Sequence, residues 1–177
     1  AYQTSGNIAV SDHDALKFLE VSKDVNEIDK NNDVKNLIKE LKNKKIDEID
    51  SKQIRKLKGF IRKSEAIAAT RYIGIPDKNT HFMNLPFYET GKIQKNTPTT
   101  KDLEKTVSLI KKIKPHQIYA AGDLEDPHGT HKVCLNIIFD ALKSIKKEKF
   151  IKNCWVWLYR WAWLEWDIHD IDMAVPM

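Results

Sequence analysis

The sequence predicts an α/β domain with a mostly parallel sheet flanked by helices. Apolar residues recur at helical spacing in several segments, and short apolar runs of strand length lie between these segments. Glycine, proline and asparagine separate the two kinds of element. Because helices alternate with strands, a parallel sheet is favoured. The length of 177 residues is that of a single domain, covering residues 1–177.

In the first half of the chain, a strand end is predicted before three helices. The stretch "YQTSG" resembles the end of a strand that runs into a glycine turn, so we expect the first strand of the domain to be missing. Asp12 or Asp14 is expected to cap a short helix, and Asp33 the next one. Ser51 is expected to begin a longer helix that stops before Gly74.

From residue 81 onward, four strands and two helices are predicted. A strand is predicted within "HFMNLPFY", and Thr99 or Thr100 is expected to cap a helix that Pro115 ends. The run "HQIYAAG" predicts a buried strand, and a helix is expected from about Gly129 to Lys146. The stretch "CWVWLYR" predicts another strand, and "MAVPM" a last short one.

The composition predicts a globular cytoplasmic protein. Hydrophobic residues make up 41% of the chain and charged residues 31%. No apolar run approaches the roughly 20 residues of a membrane helix, and the first residues lack the pattern of a signal peptide. We therefore expect no membrane partner.

The net charge of +5 does not by itself indicate a nucleic-acid partner. Almost all of the positive charge is on lysines that alternate with acids, as in "DVKNLIKELKNKKIDEIDSK", which is typical of solvated helix faces. Arginine, the residue favoured for reading phosphates and bases, is scarce. We expect no nucleic-acid partner, and binding of another polyanion is a weaker alternative.

The stretch "GDLEDPHGTH", residues 122–131, is the strongest candidate for a functional site. It follows a predicted strand and leads into a helix, where parallel α/β sheets bind their ligands. His128 and His131 are three residues apart, a spacing that places two helical side chains on one face. Neutral imidazoles and carboxylates are typical zinc ligands. A metal-dependent site and a polar loop that happens to hold two histidines are both open alternatives.

Each polar residue of this stretch has a candidate role in such a site. One histidine could bind the metal while the other acts as a general acid. Asp126 or Asp123 could orient an imidazole ring through a hydrogen bond. Gly129 would let the backbone approach a ligand closely.

The longer segment "HQIYAAGDLEDPHGTHKVC" closely resembles the second metal motif of the LmbE/PIG-L family. These are zinc-dependent N-deacetylases that act mostly on N-acetylglucosaminyl compounds, and their fold is a Rossmann-like sheet. The resemblance implies that His131 binds zinc and that His128 is the catalytic acid or stabilises the transition state. It also assigns Lys132 as the basic residue of the motif, which we expect to bind substrate. Thr130 replaces the aspartate of the family, and Asp126 is the expected catalytic substitute.

Further segments carry the same resemblance. "IRKSEAIAATRYIGI" is similar to an Arg-x-x-Glu helix of the family, with Arg62 and Glu65 in those positions, and "YQTSGNIAV" is similar to its Thr-x-Gly turn. "HFMNLPFYETGKI" and "YRWAWLEWDI" are closer still to the C-terminal LmbE-like domain of long bacterial glucosamine-6-phosphate deaminase proteins. Arg62 is expected to bind a substrate phosphate or hydroxyl. The alternative role for its guanidinium is a structural salt bridge with an acid at the end of a sheet.

The first metal motif of the family, His-Pro-Asp-Asp, is absent from the chain. The resemblance places that motif, with two zinc ligands and the general base, before the segment that begins this chain. We therefore expect a zinc-dependent hydrolase of N-acetylglucosamine-type or sugar-phosphate substrates that is inactive as an isolated chain. The alternative is a non-catalytic domain that docks a deaminase partner, or forms a homo-oligomer, through the tryptophan-rich run "WVWLYRWAWLEW".

Overall fold

The structure is a computed structural model that describes residues 1–25, 32–122, 127–160 and 166–174. These residues contain five α-helices and a two-stranded parallel sheet, so the predicted α/β class is confirmed. The larger Rossmann-like sheet remains a prediction. Of the helices described, none combines the length and the apolar character needed to cross a membrane.

The chain divides into two units, which are described separately. Unit 1 consists of Ala1–Asn84 and Tyr88–Ile93, and unit 2 consists of Leu85–Phe87 and Gln94–Met177. That residues 1–177 make up a single LmbE-like domain stays a prediction.

Unit 1 is built around three helices: α1 (Asp12–Val25), α2 (Asn32–Asn43) and α3 (Lys52–Tyr72). Each helix has an apolar stripe at a spacing of three or four residues, and burial of these stripes against one another is what stabilises the helices. The buried core of unit 1 consists of Val10, Ala15, Leu19, Leu41, Ile54 and Ile61.

The observed ends of these helices agree only partly with the ends predicted from the sequence. Ser51 caps α3 through its hydroxyl, and Gly74 follows the last turn with a φ of 79°, both as predicted. The cap of α1 is Ser11, whose hydroxyl accepts a hydrogen bond from the backbone of Asp14 at 3.0 Å. The prediction of Asp12 or Asp14 as the cap was therefore wrong. Asp33 lies in the first turn of α2, which begins at Asn32.

A cluster of four charged residues ties α1 and α3 together in unit 1. The Lys58 ammonium, on a residue only 4% exposed, donates hydrogen bonds to Asp12 at 2.6 Å and to Asp50 at 2.7 Å. Lys44 donates to the same two carboxylates at 2.9 Å and 2.5 Å. We call Asp12, Lys44, Asp50 and Lys58 the Lys58 cluster. Its charges are matched, which is the condition for burying an ammonium group.

The pKa values of Asp12 and Lys44 shift in the direction that keeps these two side chains charged. Burial alone would raise the pKa of Asp12, but the hydrogen bonds and positive charges of Lys58 and Lys44 outweigh burial and lower it. Burial alone would lower the pKa of Lys44, but Asp50 and Asp12 raise it. The stabilisation from Asp12 is therefore present above its unfolded pKa of about 3.9 and is lost as the pH falls through its lower folded pKa.

The two strands predicted in unit 1 are reduced to a single parallel bridge between Tyr2 and Phe82. Tyr2 donates a backbone hydrogen bond to His81 at 2.7 Å and accepts one from Met83 at 2.9 Å. The two aromatic rings stack with centroids 5.3 Å apart. Asn84, with a φ of 46°, takes the chain out of the extended conformation directly after this bridge.

Unit 2 contains a parallel βαβ arrangement. Strand β1 (Gln117–Ala121) pairs with β2 (Trp155–Tyr159), and α5 (Thr130–Ser144) lies in the crossover between them. Parallel neighbours need such a crossover, usually a helix. Helix α4 (Thr100–Ile113) packs against α5 through Ile110, Ala141 and Ile145. Of the last strand predicted in "MAVPM", Met173 and Ala174 are not in a strand, and residues 175–177 lie outside the described part.

Asp102 is a fully buried carboxylate that organises the start of α4. It accepts hydrogen bonds from the backbone of Phe87 at 2.9 Å and from the backbone and hydroxyl of Thr99 at 2.8 Å and 2.9 Å. Thr99, one of the two predicted caps, is therefore the residue at the N-cap. These three hydrogen bonds offset the free-energy cost of removing the carboxylate from water.

Replacement of Lys58 tests the role of its cluster. We expect Lys58→Ala to lower the free energy of unfolding by about 3 kcal/mol, because two carboxylates lose their buried partner. Lys39→Ala, a change at an exposed lysine of α2, should alter it by less than about 0.5 kcal/mol. The measurement is urea denaturation followed by circular dichroism. Equal stability of the two variants would contradict a structural role for the cluster.

Candidate functional site

An open groove of about 780 Å³ lies in unit 1, lined by the N-terminal segment and by α3. This volume is within the usual range for small-molecule sites. The side chains of α3 that line it recur every three or four residues, on the side opposite the buried Ile54 and Ile61. They are Lys52, Arg55, Lys56, Gly59, Phe60, Arg62, Lys63, Glu65, Ala66 and Ala69.

Arg62, predicted from the sequence to bind substrate, lines this groove. Its Nη1 donates a hydrogen bond at 2.5 Å to Glu65 of the same helix, so Arg62 forms a salt bridge, but not with the sheet-end acid that was expected. Gly6, with a φ of 66°, lies beside the arginine, and a Cβ there would come within 3.3 Å of the Arg62 side chain. A glycine is therefore required both by the backbone conformation and by the close approach of Arg62.

Asn7, Arg55 and Glu89 form a second polar group in the same groove. Asn7 is 2% exposed, and its Nδ2 donates to a Glu89 carboxylate oxygen at 3.0 Å. Nη1 of Arg55 donates to the Glu89 backbone carbonyl at 3.0 Å. Two buried atoms of this group, Asn7 Oδ1 and Arg55 Nε, have no hydrogen-bond partner among the described residues.

Five cationic and two acidic side chains line the groove, and aromatic rings lie beside them. Both carboxylates are engaged, Glu65 by Arg62 and Glu89 by Asn7. The Lys56 ammonium lies 5.6 Å from the centre of the Phe60 ring, and that of Lys63 lies 5.2 Å from the centre of the Phe82 ring. The groove thus combines positive charge with apolar ring surface.

The histidine-containing stretch is in unit 2 and begins directly after β1. Gly122, its first residue, is buried, and a Cβ there would lie 2.2 Å from the Trp166 ring. A glycine is needed at this position because the indole packs against the backbone. Residues 123–126 lie outside the described part, so the predicted roles of Asp126 and Asp123 stay predictions.

The rest of the stretch leads into α5. His128 is exposed in the turn before the helix, and Gly129 occupies the N-cap with a φ of 63°. His131 is the second residue of α5 and is half-buried, with a buried Nδ1. Lys132 is exposed. Because α5 begins at Thr130, the expectation of a shared helix face applies to His131 and not to His128.

The described residues do not complete a zinc site around His131. Within them, three potential ligand side chains come together only at Asp167, His169 and Asp170, which are all exposed. A zinc ion held by His131 would need ligands from outside the described residues.

One face of the two-stranded sheet of unit 2 carries aromatic side chains. Tyr119 pairs with Trp157, and Trp155 and Tyr159 lie two residues to either side, so all four project from the same face. Trp155 is 68% exposed and Tyr119 is 56% exposed. Trp155 is thus not part of a core, and its exposure agrees with the interface role expected for the tryptophan-rich run.

The sequence analysis missed Asn7 and Arg55 as candidate site residues. Arg55 precedes Arg62 by two helical turns, which places both on one face of α3 and was a usable signal. Asn7 follows the Thr-x-Gly turn but bears no pattern of its own. Its pairing with Glu89 joins residues 82 positions apart and could not be read from local spacing.

Comparison with known proteins finds one strong similarity. No protein-family profile matches the chain, and no solved structure matches it. The chain is 47% identical over 186 aligned positions to a glucosamine-6-phosphate deaminase-like protein of Bacteroides thetaiotaomicron. The similarity covers the whole chain but 28% of that relative, so the chain corresponds to less than a third of the longer protein.

Proposed function

We propose that the groove of unit 1 binds an N-acetylglucosamine-type sugar and that the chain is part of an amino-sugar-processing protein. The observation that carries this proposal is the groove itself, whose lining combines Arg62 with a polar group and aromatic rings. The name of the Bacteroides relative, which refers to glucosamine 6-phosphate, favours the same class of substrate.

The lining of the groove suits a sugar in three respects. Its volume of about 780 Å³ accommodates a monosaccharide with room for a substituent. Only Nη1 of the Arg62 guanidinium is hydrogen-bonded within the described residues, which leaves further donors for hydroxyl or phosphate oxygens. Phe60, which is 56% exposed, offers a ring face on which the apolar side of a sugar can pack.

The finer proposal is a zinc-dependent N-deacetylase of the LmbE type, and it rests on the resemblance of the motifs. His131 would bind zinc, and His128 would donate a proton to the departing amine. Asp126 would orient an imidazole, and Lys132 would contact substrate. The remaining metal ligands would come from outside the described residues.

A second candidate is a non-catalytic domain that docks a deaminase partner or a second copy of the chain. The exposed aromatic face of the sheet in unit 2 favours it, because both faces of a parallel sheet are usually covered.

Substitution of Arg62 tests sugar binding. We expect the chain to bind N-acetylglucosamine, and Arg62→Ala to weaken that binding by about tenfold, the loss expected for one hydrogen bond from a charged donor. Isothermal titration calorimetry measures both affinities.

The matched control is Arg71→Ala. Arg71 is on the same helix but pairs with Asp77 and does not line the groove. We expect the Arg71 variant to bind the sugar as the unmodified chain does. Equal effects of the two arginine substitutions, or no binding by the unmodified chain, would contradict the proposed site.

Metal analysis tests the deacetylase proposal for the isolated chain. We expect the purified chain to hold far less than one equivalent of zinc at neutral pH and to release no acetate from N-acetylglucosamine 6-phosphate, because His131 alone is too few ligands. Elemental analysis and an acetate assay provide the two measurements.

The comparison variants are His131→Ala and His116→Ala, the second a change at an exposed histidine. A full equivalent of zinc that is lost only in the His131 variant would mean that the chain completes a metal site without further segments. Acetate release by the chain would refute its predicted inactivity.

The docking alternative predicts an effect of Trp155. The chain should bind the remaining part of the Bacteroides relative, produced separately, and Trp155→Ser should weaken this complex by about tenfold or more, as loss of a tryptophan anchor does. Sedimentation velocity measures the complex. Phe18→Ser, a change at an exposed aromatic residue of α1, is the control. An intact complex with the Trp155 variant would rule out docking through this face.

A further inference from the structure

The groove side of α3 carries a row of exposed cationic and aromatic side chains. Lys52, Lys56, Phe60 and Lys63 follow one another at intervals of four, four and three residues, which places them on one face of the helix. We call these four residues the α3 stripe. All four are exposed, and among the described residues no acid forms an ion pair with its three lysines. The charges of the stripe are therefore open to a ligand in the groove.

The stability of the helix does not account for this charge. Helix α3 contains seven cationic residues and a single acid, Glu65, which pairs with Arg62. Its first turn begins with Lys52 and holds no acid, although the helix dipole favours acids at this end. A solvated helix face usually interleaves lysines with acids, as α2 does. The excess positive charge of α3 instead favours an anionic ligand.

The length of the groove indicates the size of that ligand. The lining residues of α3 run from Lys52 to Ala69, a distance of about 25 Å along the helix axis. The lysines at the two ends of the α3 stripe, Lys52 and Lys63, are separated by about 16 Å along the same axis. A monosaccharide spans only part of this length, and one anionic group does not match charges spread over this distance. An extended ligand with several anionic groups can contact the whole stripe.

Aromatic rings lie among the cations of the groove. Phe60, which is 56% exposed, lies between Lys56 and Lys63 in the stripe, and the Lys56 ammonium is 5.6 Å from the centre of its ring. The Lys63 ammonium lies 5.2 Å from the centre of the Phe82 ring, which stacks on Tyr2. The ligand surface that matches this lining therefore alternates negative groups with flat apolar faces.

Short polar side chains complete the lining. Thr4, Ser5 and Asn84 contribute hydroxyl and amide groups, which can both donate hydrogen bonds to the hydroxyls of a ligand and accept them. An acidic oligosaccharide has all three features, because its sugar rings present apolar faces, hydroxyls at the rim and anionic groups along the chain. A single-stranded nucleic acid also combines charge with flat rings, but its bases bring few hydroxyls to these side chains.

We infer that the groove binds an anionic oligosaccharide that extends along α3, with acidic groups on Lys52, Lys56 and Lys63 and a sugar ring against Phe60. The inference rests on the proposed sugar site and adds the length and the charge of the ligand. One exposed ion pair contributes little to affinity. Several acidic groups on one chain act together, because the first contact raises the effective concentration of the others.

Four probes test this inference by calorimetry on the whole chain: a hyaluronan hexasaccharide, the neutral hexasaccharide of N-acetylglucosamine, N-acetylglucosamine itself and a thymidine hexanucleotide. Both hexasaccharides contain N-acetylglucosamine, but only hyaluronan carries carboxylates, on its alternate sugars. We expect the hyaluronan hexasaccharide to bind at least about tenfold more tightly than each of the other probes. Added salt should reduce this preference, since the lysines are exposed.

Two double variants assign the acidic groups to their lysines. Lys52→Gln with Lys63→Gln should weaken binding of the hyaluronan hexasaccharide by about tenfold and leave binding of N-acetylglucosamine nearly unchanged. The matched control, Lys35→Gln with Lys39→Gln, removes two exposed charges from α2, outside the groove, and should leave both affinities unchanged. All four lysines are exposed, so both variants should fold, which thermal denaturation checks.

The outcomes separate this inference from the proposed function. Equal binding of the two hexasaccharides, or equal losses in the two double variants, would overturn the inference and leave the sugar site standing. Failure of all three sugars to bind would overturn the proposed function as well. Tighter binding of the hexanucleotide would indicate a nucleic-acid site and overturn the inference.

Discussion

The burial of the Lys58 ammonium between Asp12 and Asp50 is the constraint on which unit 1 depends. An ammonium group cannot be buried without matched charges, so the first residue of α1 and the segment before α3 must both reach it. The chain that enters α1 is thereby held against α3, and residues of this N-terminal segment line one wall of the groove. One side of helix α3 thus contributes to the core, and its cationic side contributes to the groove.

Elements specified by local interactions were predicted well from the sequence. Ser51, Gly74 and Thr99 mark helix ends because a cap or a left-handed residue acts within one turn of its own position. The strands of unit 1 were predicted poorly, because pairing of Tyr2 with Phe82 depends on residues 80 positions away. In the candidate site, Arg62 could be found from a motif and Arg55 from helical spacing, because both signals are local. The role of Asn7 is evident only in the structure, where its Nδ2 donates to Glu89 and its Oδ1 has no partner among the described residues.

Two parts of the chain bear on function, and they have different kinds of support. The histidine stretch in unit 2 is backed by its resemblance to a zinc-dependent family, while the described residues around His131 do not complete a metal site. The groove in unit 1 is backed by geometry, charge and unsatisfied polar atoms. We therefore propose substrate recognition for this chain's own residues, and the proposed deacetylation would need groups beyond those described.

The most direct test of substrate recognition is a backbone amide NMR titration of the labelled chain with N-acetylglucosamine 6-phosphate. The titration locates the ligand without any substitution. The account predicts that the largest chemical-shift changes fall on Gly6, Asn7 and the part of α3 from Arg55 to Arg62. Changes confined to unit 2, or no changes at millimolar ligand, would contradict the account.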